Sequence, residues 1–168
     1  RASQMTLKTN QFNFRTQRYT IDEIKQISNQ KNSFNFIMRV KDKYGDHGYI
    51  GLIMLEKISQ KDYFITNFLM SCRILGRDLE KWFLIYICKK LLKNNVGKLI
   101  LEYIPSKSNT IANHFLKENK FKKLKNYNNN KLKIKKENTF YQLKIKDFSN
   151  KKHMLYSLSI YEKIKKHI

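Results

Sequence analysis

The residues with the clearest chemical use lie in one stretch, Ser71-Cys72-Arg73-Ile74-Leu75-Gly76-Arg77-Asp78. A glycine lets the backbone turn sharply and come close to a ligand. A helix starting after the turn has first N–H groups without intrahelical partners, at the positive end of its dipole. Leu75, Gly76, Arg77 and Asp78 would supply backbone there, and Arg73 and Arg77 would add fixed positive charge. The chemistry this favours is the holding of a pyrophosphate. The plain structural alternative is a surface turn with two solvated arginines, in which Asp78 caps the following helix.

Fewer groups could move a proton or attack a carbonyl. Cys72 stands beside Arg73 near the expected helix start, surroundings that favour a thiolate able to accept an acyl group, although a buried structural thiol satisfies the same pattern. Glu56 ends a strand, as a general base or as a solvated carboxylate. Tyr103 ends another strand, as a proton donor or as packing. Asp46 and His47 sit in a glycine-rich turn and either bind an acceptor or shape the turn. His114, His153 and His167 have no partner at metal-ligand spacing, and no metal site is expected.

These groups are placed by a mixed set of elements. Tyr63 to Met70 is aromatic, β-branched and apolar, which suits a buried strand entering the turn. Leu79, Trp82, Phe83, Tyr86, Ile87 and Leu91 then recur at helical spacing, and Asn94 to Gly97 ends that helix. Upstream, Thr20-x-x-Glu23 is a capping box opening a helix to about Asn29, with Ile21, Ile24 and Ile27 inward. Phe34 to Lys41 and Tyr49 to Lys57 form a hairpin. Downstream come a strand at Lys98 to Ile104, a helix at Asn109 to Lys120, an Asn128-Asn129-Asn130 turn, a strand at Thr139 to Ile145 and a helix from about Lys151 to Lys166. The expected organisation is a lead-in at 1–19, with a first strand around Phe12 to Thr16, a central domain at 20–146 and a basic C-terminal helix at 147–168. The order of elements gives an antiparallel meander followed by a parallel crossover.

Arg73-x-x-Gly76-x-Asp78, between strand and helix, resembles the Arg-x-x-Gly-x-(Gly/Ala) acyl-coenzyme A signature of GCN5-related N-acetyltransferases, the GNAT fold. The resemblance implies an α/β fold with a mixed, mostly antiparallel central sheet flanked by helices, and a V-shaped splay between central strands. It places the pantetheine arm of acetyl-CoA or another acyl-CoA in that splay, paired with backbone like an added strand. Leu69 and Ser71 would offer that backbone. Asn109, Ala112 and Phe115 match an Asn-x-x-Ala-x-x-(Phe/Leu) pattern, which implies that Asn109 and Phe115 lie along the coenzyme. Three positions depart from the pattern. Asp78 replaces a small residue, Leu116 stands where a tyrosine general acid is usual, and Lys120 replaces a glycine.

A second resemblance covers about residues 1–124. Lys8-Thr9-Asn10-Gln11-Phe12-Asn13-Phe14, Asp42-Lys43-Tyr44-Gly45-Asp46-His47-Gly48, Phe68 to Arg77 and Tyr103-Ile104-Pro105 fall in an order similar to the C-terminal half of FkbH-like proteins. Those proteins join a phosphatase-type domain to a GNAT-like one and are associated with loading a glyceryl unit onto an acyl carrier protein. The resemblance implies an N-terminal phosphatase-like partner domain, whose Asp-x-Asp-x-Thr motif this chain lacks. It also implies an acidic acyl carrier protein, through its phosphopantetheine, as a partner.

Composition bounds the functional classes. At 168 residues, 41% hydrophobic and 13% aromatic, the chain can bury one core. The formal charge of +22 favours anionic partners. Lysine outnumbers arginine and clusters with asparagine late in the chain, which reads as a solvated face, and no nucleic-acid recognition motif is present. Two cysteines without paired spacing and the lack of a long apolar segment suit a cytoplasmic protein with no membrane span. The leading expectation is an enzyme, an acyltransferase moving an acyl group from acyl-CoA or a carrier to an amine or hydroxyl of a small-molecule or carrier-bound acceptor. The alternatives are a non-catalytic carrier or phosphopantetheine-binding module and, third, a basic nucleic-acid binder.

Overall fold

The computed structural model describes residues 1–125, 127 and 139–149, together with the backbone of Leu158–Glu162. The chain opens with helix α1 (Ala2–Lys8) and a two-residue strand, β1 (Phe12–Asn13). Helix α2 (Ile21–Asn29) follows, opened by the expected capping box: the Glu23 N–H donates to Thr20 Oγ1 at 3.2 Å and the Thr20 N–H to Glu23 Oε2 at 2.7 Å. The meander then forms from β2 (Ser33–Asp42), β3 (Gly45–Lys57) and β4 (Asp62–Met70), all antiparallel neighbours. Helix α3 (Leu79–Lys93) carries the chain to β5 (Lys98–Tyr103), which runs parallel to β4, as a crossover connection permits. Helix α4 (Thr110–Glu118), β6 (Lys122–Leu124), β7 (Thr139–Lys144), α5 (Ile145–Ser149) and β8 (Leu158–Glu162) complete the described elements. The sheet order is β6-β7-β5-β4-β3-β2-β8, with β1 paired to β4 off that path.

Strands β3 and β4 are buried on both faces, and their central residues are almost continuously apolar for that reason. On one face, α3, α4 and α5 pack Phe83, Phe115, Leu116 and Phe148 against Phe68 and Met70. The approach of α3 is close: a Cβ on Gly51 would lie 2.7 Å from Met70 Sδ and 3.1 Å from the Phe83 ring. On the other face, Met5 of α1, Ile24 and Ile27 of α2 and Tyr19 between the two helices cover Leu52, Met54 and Leu69.

The parallel pairing of β4 with β5 runs only from Asp62↔Lys98 to Ile65↔Leu101. Beyond it the two strands part, and β4 takes a new neighbour, with Asn13 opposite Leu69 and Phe12 opposite Met70. This is the V-shaped splay, and the chain's own N-terminal segment stands in it.

The structure corrects three expectations. Residues 1–19 do more than lead in: α1 forms ahead of the strand expected around Phe12, and both belong to the core and the sheet. Ile21 is not inward: it sits in the first turn of α2 and is 64% exposed, beyond the patch that Ile24 and Ile27 cover. Leu158–Glu162 is a strand antiparallel to β2, not part of a helix. Its Leu-Ser-Ile-Tyr run suits a strand, and the pairing satisfies backbone groups at the outer edge of β2. The rest of the expected C-terminal helix, at 150–157 and 163–168, and the Asn128-Asn129-Asn130 turn lie outside the described residues.

Candidate functional site

The Ser71–Asp78 turn forms where β4 ends. The Ser71 N–H donates to Ile50 O at 2.7 Å, Cys72–Ile74 makes one 3₁₀ turn, and buried Ile74 anchors it. Gly76 has φ of 81°, in the left-handed region where glycine is favoured. Asp78 also lies there, at φ 57°, and occupies the N-cap position of α3 without a side-chain capping bond. Cys72, Arg73, Gly76, Arg77 and Asp78 are exposed, Ser71 and Leu75 half-buried. Arg73 Nε donates to Ser71 Oγ at 3.4 Å, and Arg77 Nη1 lies 3.8 Å from Asp42 Oδ2.

Glu80, which sequence reasoning missed, bears directly on this turn. Burial pushes its carboxyl above the ordinary range, against the pull of its own N–H, and Asp78 raises it further while the Gly76 N–H lowers it. Glu80 Oε2 has no partner among the described residues. An acidic side chain therefore stands close to the glycine N–H that the anion reading gives to a phosphate. The signal available in the sequence was an acid two residues after Asp78, in the first turn of the helix.

Beside the turn lies a cleft of about 390 Å³ between α1 and the end of β4. Lys8, Thr9, Tyr49, Ser71, Cys72 and Arg73 line it, and no Asp or Glu is among its lining residues. Arg1, Lys8 and Arg73 bring positive charge, and Cys72 brings a thiol.

The splay is filled in detail. The Phe14 N–H donates to Phe68 O at 3.4 Å, and Ile104 N–H donates to Phe14 O at 2.9 Å, so the segment bridges from β4 to the end of β5. Arg15 Nη1 donates to Thr66 O at 3.0 Å and Arg15 Nε to Glu102 Oε2 at 2.7 Å. Phe12 and Phe14 are wholly buried, with ring contacts at 5.1–6.1 Å to each other, Phe68 and Phe115. Leu69 is wholly buried, and its backbone already faces Asn13. Deeper on β4, Asn67 is wholly buried, and neither of its amide atoms has a partner among the described residues.

The residues that the resemblance placed along a coenzyme have structural work instead. Asn109 Nδ2 donates to Asn13 O at 3.0 Å and Ile104 O at 2.9 Å. Its Oδ1 accepts from Tyr103 Oη at 3.0 Å and from the Ser106 N–H at 2.8 Å. With no exposure, Asn109 is a clamp between β5, α4 and β1. Phe115 belongs to the aromatic cluster, and Leu116 is wholly buried in the same core.

The three catalytic candidates are not brought together. Glu56 lies opposite Phe64, at the start of β4. That is seven residues before Ser71, about 23 Å at roughly 3.3 Å per strand residue. Glu56 is therefore no base for chemistry at the turn. Tyr103 is 7% exposed, donates to Asn109, and burial first and Tyr141 second push its hydroxyl upward. Cys72 alone of the three opens to the cleft. Asp46 and His47 are held in the hairpin turn. Arg39 bonds to Asp46 and, with the Gly48 N–H, lowers that carboxyl to about 2. His47 Nε2 lies 2.9 Å from Asp42 Oδ2, which His47 and the Tyr44 N–H lower in turn. Among the described residues no group of three or more His, Cys, Asp or Glu could hold a metal. No described helix is long and apolar enough to cross a membrane.

No known family pattern matches the chain, and no curated protein matches it in sequence. Solved structures do match in fold. The ribosomal-protein-S18-alanine N-acetyltransferase of Escherichia coli aligns over 92% of this chain and 90% of its own, at 14% identity and TM-score 0.60. A spermidine N-acetyltransferase chimera from Vibrio cholerae and hSSAT aligns over 89% and 92%, at 14% identity and TM-score 0.57. A GNAT-family acetyltransferase of Staphylococcus aureus aligns over 74% and 75%, at 14% identity and TM-score 0.57. The fold is thus the mixed α/β fold of GNAT acyltransferases.

Proposed function

We propose that this chain is an acyl-transfer domain that takes its acyl group from a thioester on a phosphopantetheine arm, acyl-CoA or carrier-bound. The observation that carries the reading is the union of the GNAT-type sheet with the exposed Arg73, Gly76 and Arg77 turn at the end of the splaying strand, beside a cationic cleft that holds a thiol. The acceptor is an amine or hydroxyl of a small molecule or of a carrier-bound intermediate.

Leu116, in the core, cannot donate a proton to a leaving thiolate. Tyr103 is committed to Asn109, and Glu56 is remote. Of the three candidates only Cys72 faces the cleft, and in place of direct attack by the acceptor this reading gives it the acyl-accepting step. Its deprotonated sulfur attacks the donor carbonyl, the pantetheine sulfur leaves and takes up a proton, and a Cys72 thioester remains for the acceptor to attack. Exchange of one thioester for another needs no oxidant and no large driving force.

The second reading is a binding module for carrier-borne phosphopantetheine that performs no transfer. The departure at Leu116 and the charge of +22, complementary to an acidic acyl carrier protein, favour it. In that reading the FkbH-like motifs imply a phosphatase-like domain as the neighbour that supplies the acyl unit.

Incubation with acetyl-CoA, followed by intact-mass and peptide analysis, separates the two. The first reading expects one acetyl group on Cys72, lost in Cys72→Ser. Binding of acetyl-CoA or of a phosphopantetheinylated carrier without acylation supports the second. Failure of the folded protein to bind either one refutes both.

A further inference from the structure

Acyl-CoA in this fold is expected along β4, in the gap before β5, but in this chain that gap is not open. Residues 12–15 occupy it with main-chain bonds to Phe68 and Ile104 and with the Arg15 bonds to Thr66 and Glu102. Asn13 and Phe12 pair with Leu69 and Met70, the backbone that would otherwise receive the arm. Vacating the gap would expose two buried phenylalanine rings, break the Arg15–Glu102 pair and strip Asn109 of one of its acceptors. The segment behaves as a resident strand of the sheet.

The same segment builds a second place. Leaving α1, the chain passes Lys8 and Thr9 before it enters the gap, and these two residues form one side of the cleft whose other side is Ser71, Cys72 and Arg73. We infer that this domain receives the phosphopantetheine arm in that cleft, with its phosphate between Lys8 and Arg73 and its thioester toward Cys72, while residues 12–15 stay in the splay. This rests on the proposed acyl-transfer reading and says where its donor sits. A cleft of about 390 Å³ is within the range of small-molecule sites, roughly 300–1,000 Å³. Three lining cations, Arg1, Lys8 and Arg73, and no lining carboxylate suit a phosphate monoester or diester. Lys8 and Thr9 belong to a stretch that carries no ligand role in the GNAT signature, so the site is this chain's own.

The test is calorimetry with pantetheine 4′-phosphate, acetyl-CoA and 3′,5′-ADP, combined with amide hydrogen exchange of the same complexes. The inference expects Lys8→Glu and Arg73→Glu each to weaken pantetheine 4′-phosphate by about tenfold or more, as loss of a charge-assisted phosphate contact does. Lys25→Glu, at an exposed position on α2, should leave binding within about twofold. Exchange should slow at 5–9 and 71–75 and stay unchanged at 12–16 and 66–70. Acetyl-CoA binding more tightly than pantetheine 4′-phosphate identifies free acyl-CoA as the source of the arm, and equal binding, with none of 3′,5′-ADP, identifies a carrier. Binding that protects 66–70 while exchange at 12–16 accelerates overturns the inference: the segment is then a gate, and the acyl-transfer reading survives with its donor along β4. No binding of any arm-bearing ligand to folded protein overturns both.

Discussion

Phe14→Ala tests whether the N-terminal segment belongs to the fold or merely rests on it. The Phe14 side chain is wholly buried, stacked on Phe68 at 5.3 Å and edge-on to Phe12 and Phe115 at 5.2 and 6.1 Å. Its main-chain bonds to Phe68 and Ile104 do not depend on the ring. The substitution therefore removes packing and leaves pairing. Truncation of a buried phenylalanine costs about 3–5 kcal/mol, transfer and residual cavity together. The aromatic geometry favours the upper half of that range, since each edge or stacked pair adds roughly 0.5–1.5 kcal/mol beyond burial. For a chain of this length about 1 kcal/mol moves Tm by roughly 2–4 °C, so a fall of about 10 °C is expected. Urea unfolding followed by circular dichroism gives the free energy, and Ile21→Ala, at a 64% exposed position, is the control expected within about 0.5 kcal/mol. A loss at Phe14 below about 1 kcal/mol, matching Ile21, would refute the view that residues 12–15 complete the sheet.

Burial raises the Glu80 carboxyl, so the folded protein holds its proton more tightly than the unfolded chain does, and its ionised form opposes folding above its ordinary value of 4.5. Glu80→Gln should be more stable than the parent at pH 7–8, with the gap closing as pH falls below that value; an equal gap at acid and neutral pH would trace the effect to packing. The two thiols should separate by reactivity. Cys72 is exposed, whereas Cys88 is wholly buried and pushed up to about 12, so one thiol should react quickly with an aromatic disulfide reagent and the second only on unfolding. A fast phase that survives Cys72→Ser would contradict that placement.

Much of the fold was legible because its signals are local. The run Tyr63 to Met70, the periodic helix after Gly76 and the Thr20–Glu23 box each specify their own element, and each forms within a residue or two of expectation. The turn itself was legible for the same reason. Within residues 1–19 only the strand around Phe12 was, because what fixes the segment is distant in sequence. Asn13 is held by Asn109, 96 positions later, and Arg15 by Glu102, 87 positions later. Asn109 shows a second limit: its spacing matched a ligand pattern, but its polar atoms are consumed by Asn13, Ile104, Tyr103 and Ser106. Glu56 shows a third, since only the β3–β4 register reveals how far it stands from the turn. At Leu158–Glu162, apolar residues three apart suited a helix, yet the free edge of β2 selected a strand.

The most direct test is a crystal structure of this protein with pantetheine 4′-phosphate. The phosphate is expected between Lys8 and Arg73, the thiol end near Cys72, and Phe12 and Asn13 still paired with Met70 and Leu69. A ligand lying along Leu69 and Met70, with β1 expelled from the splay, would contradict it.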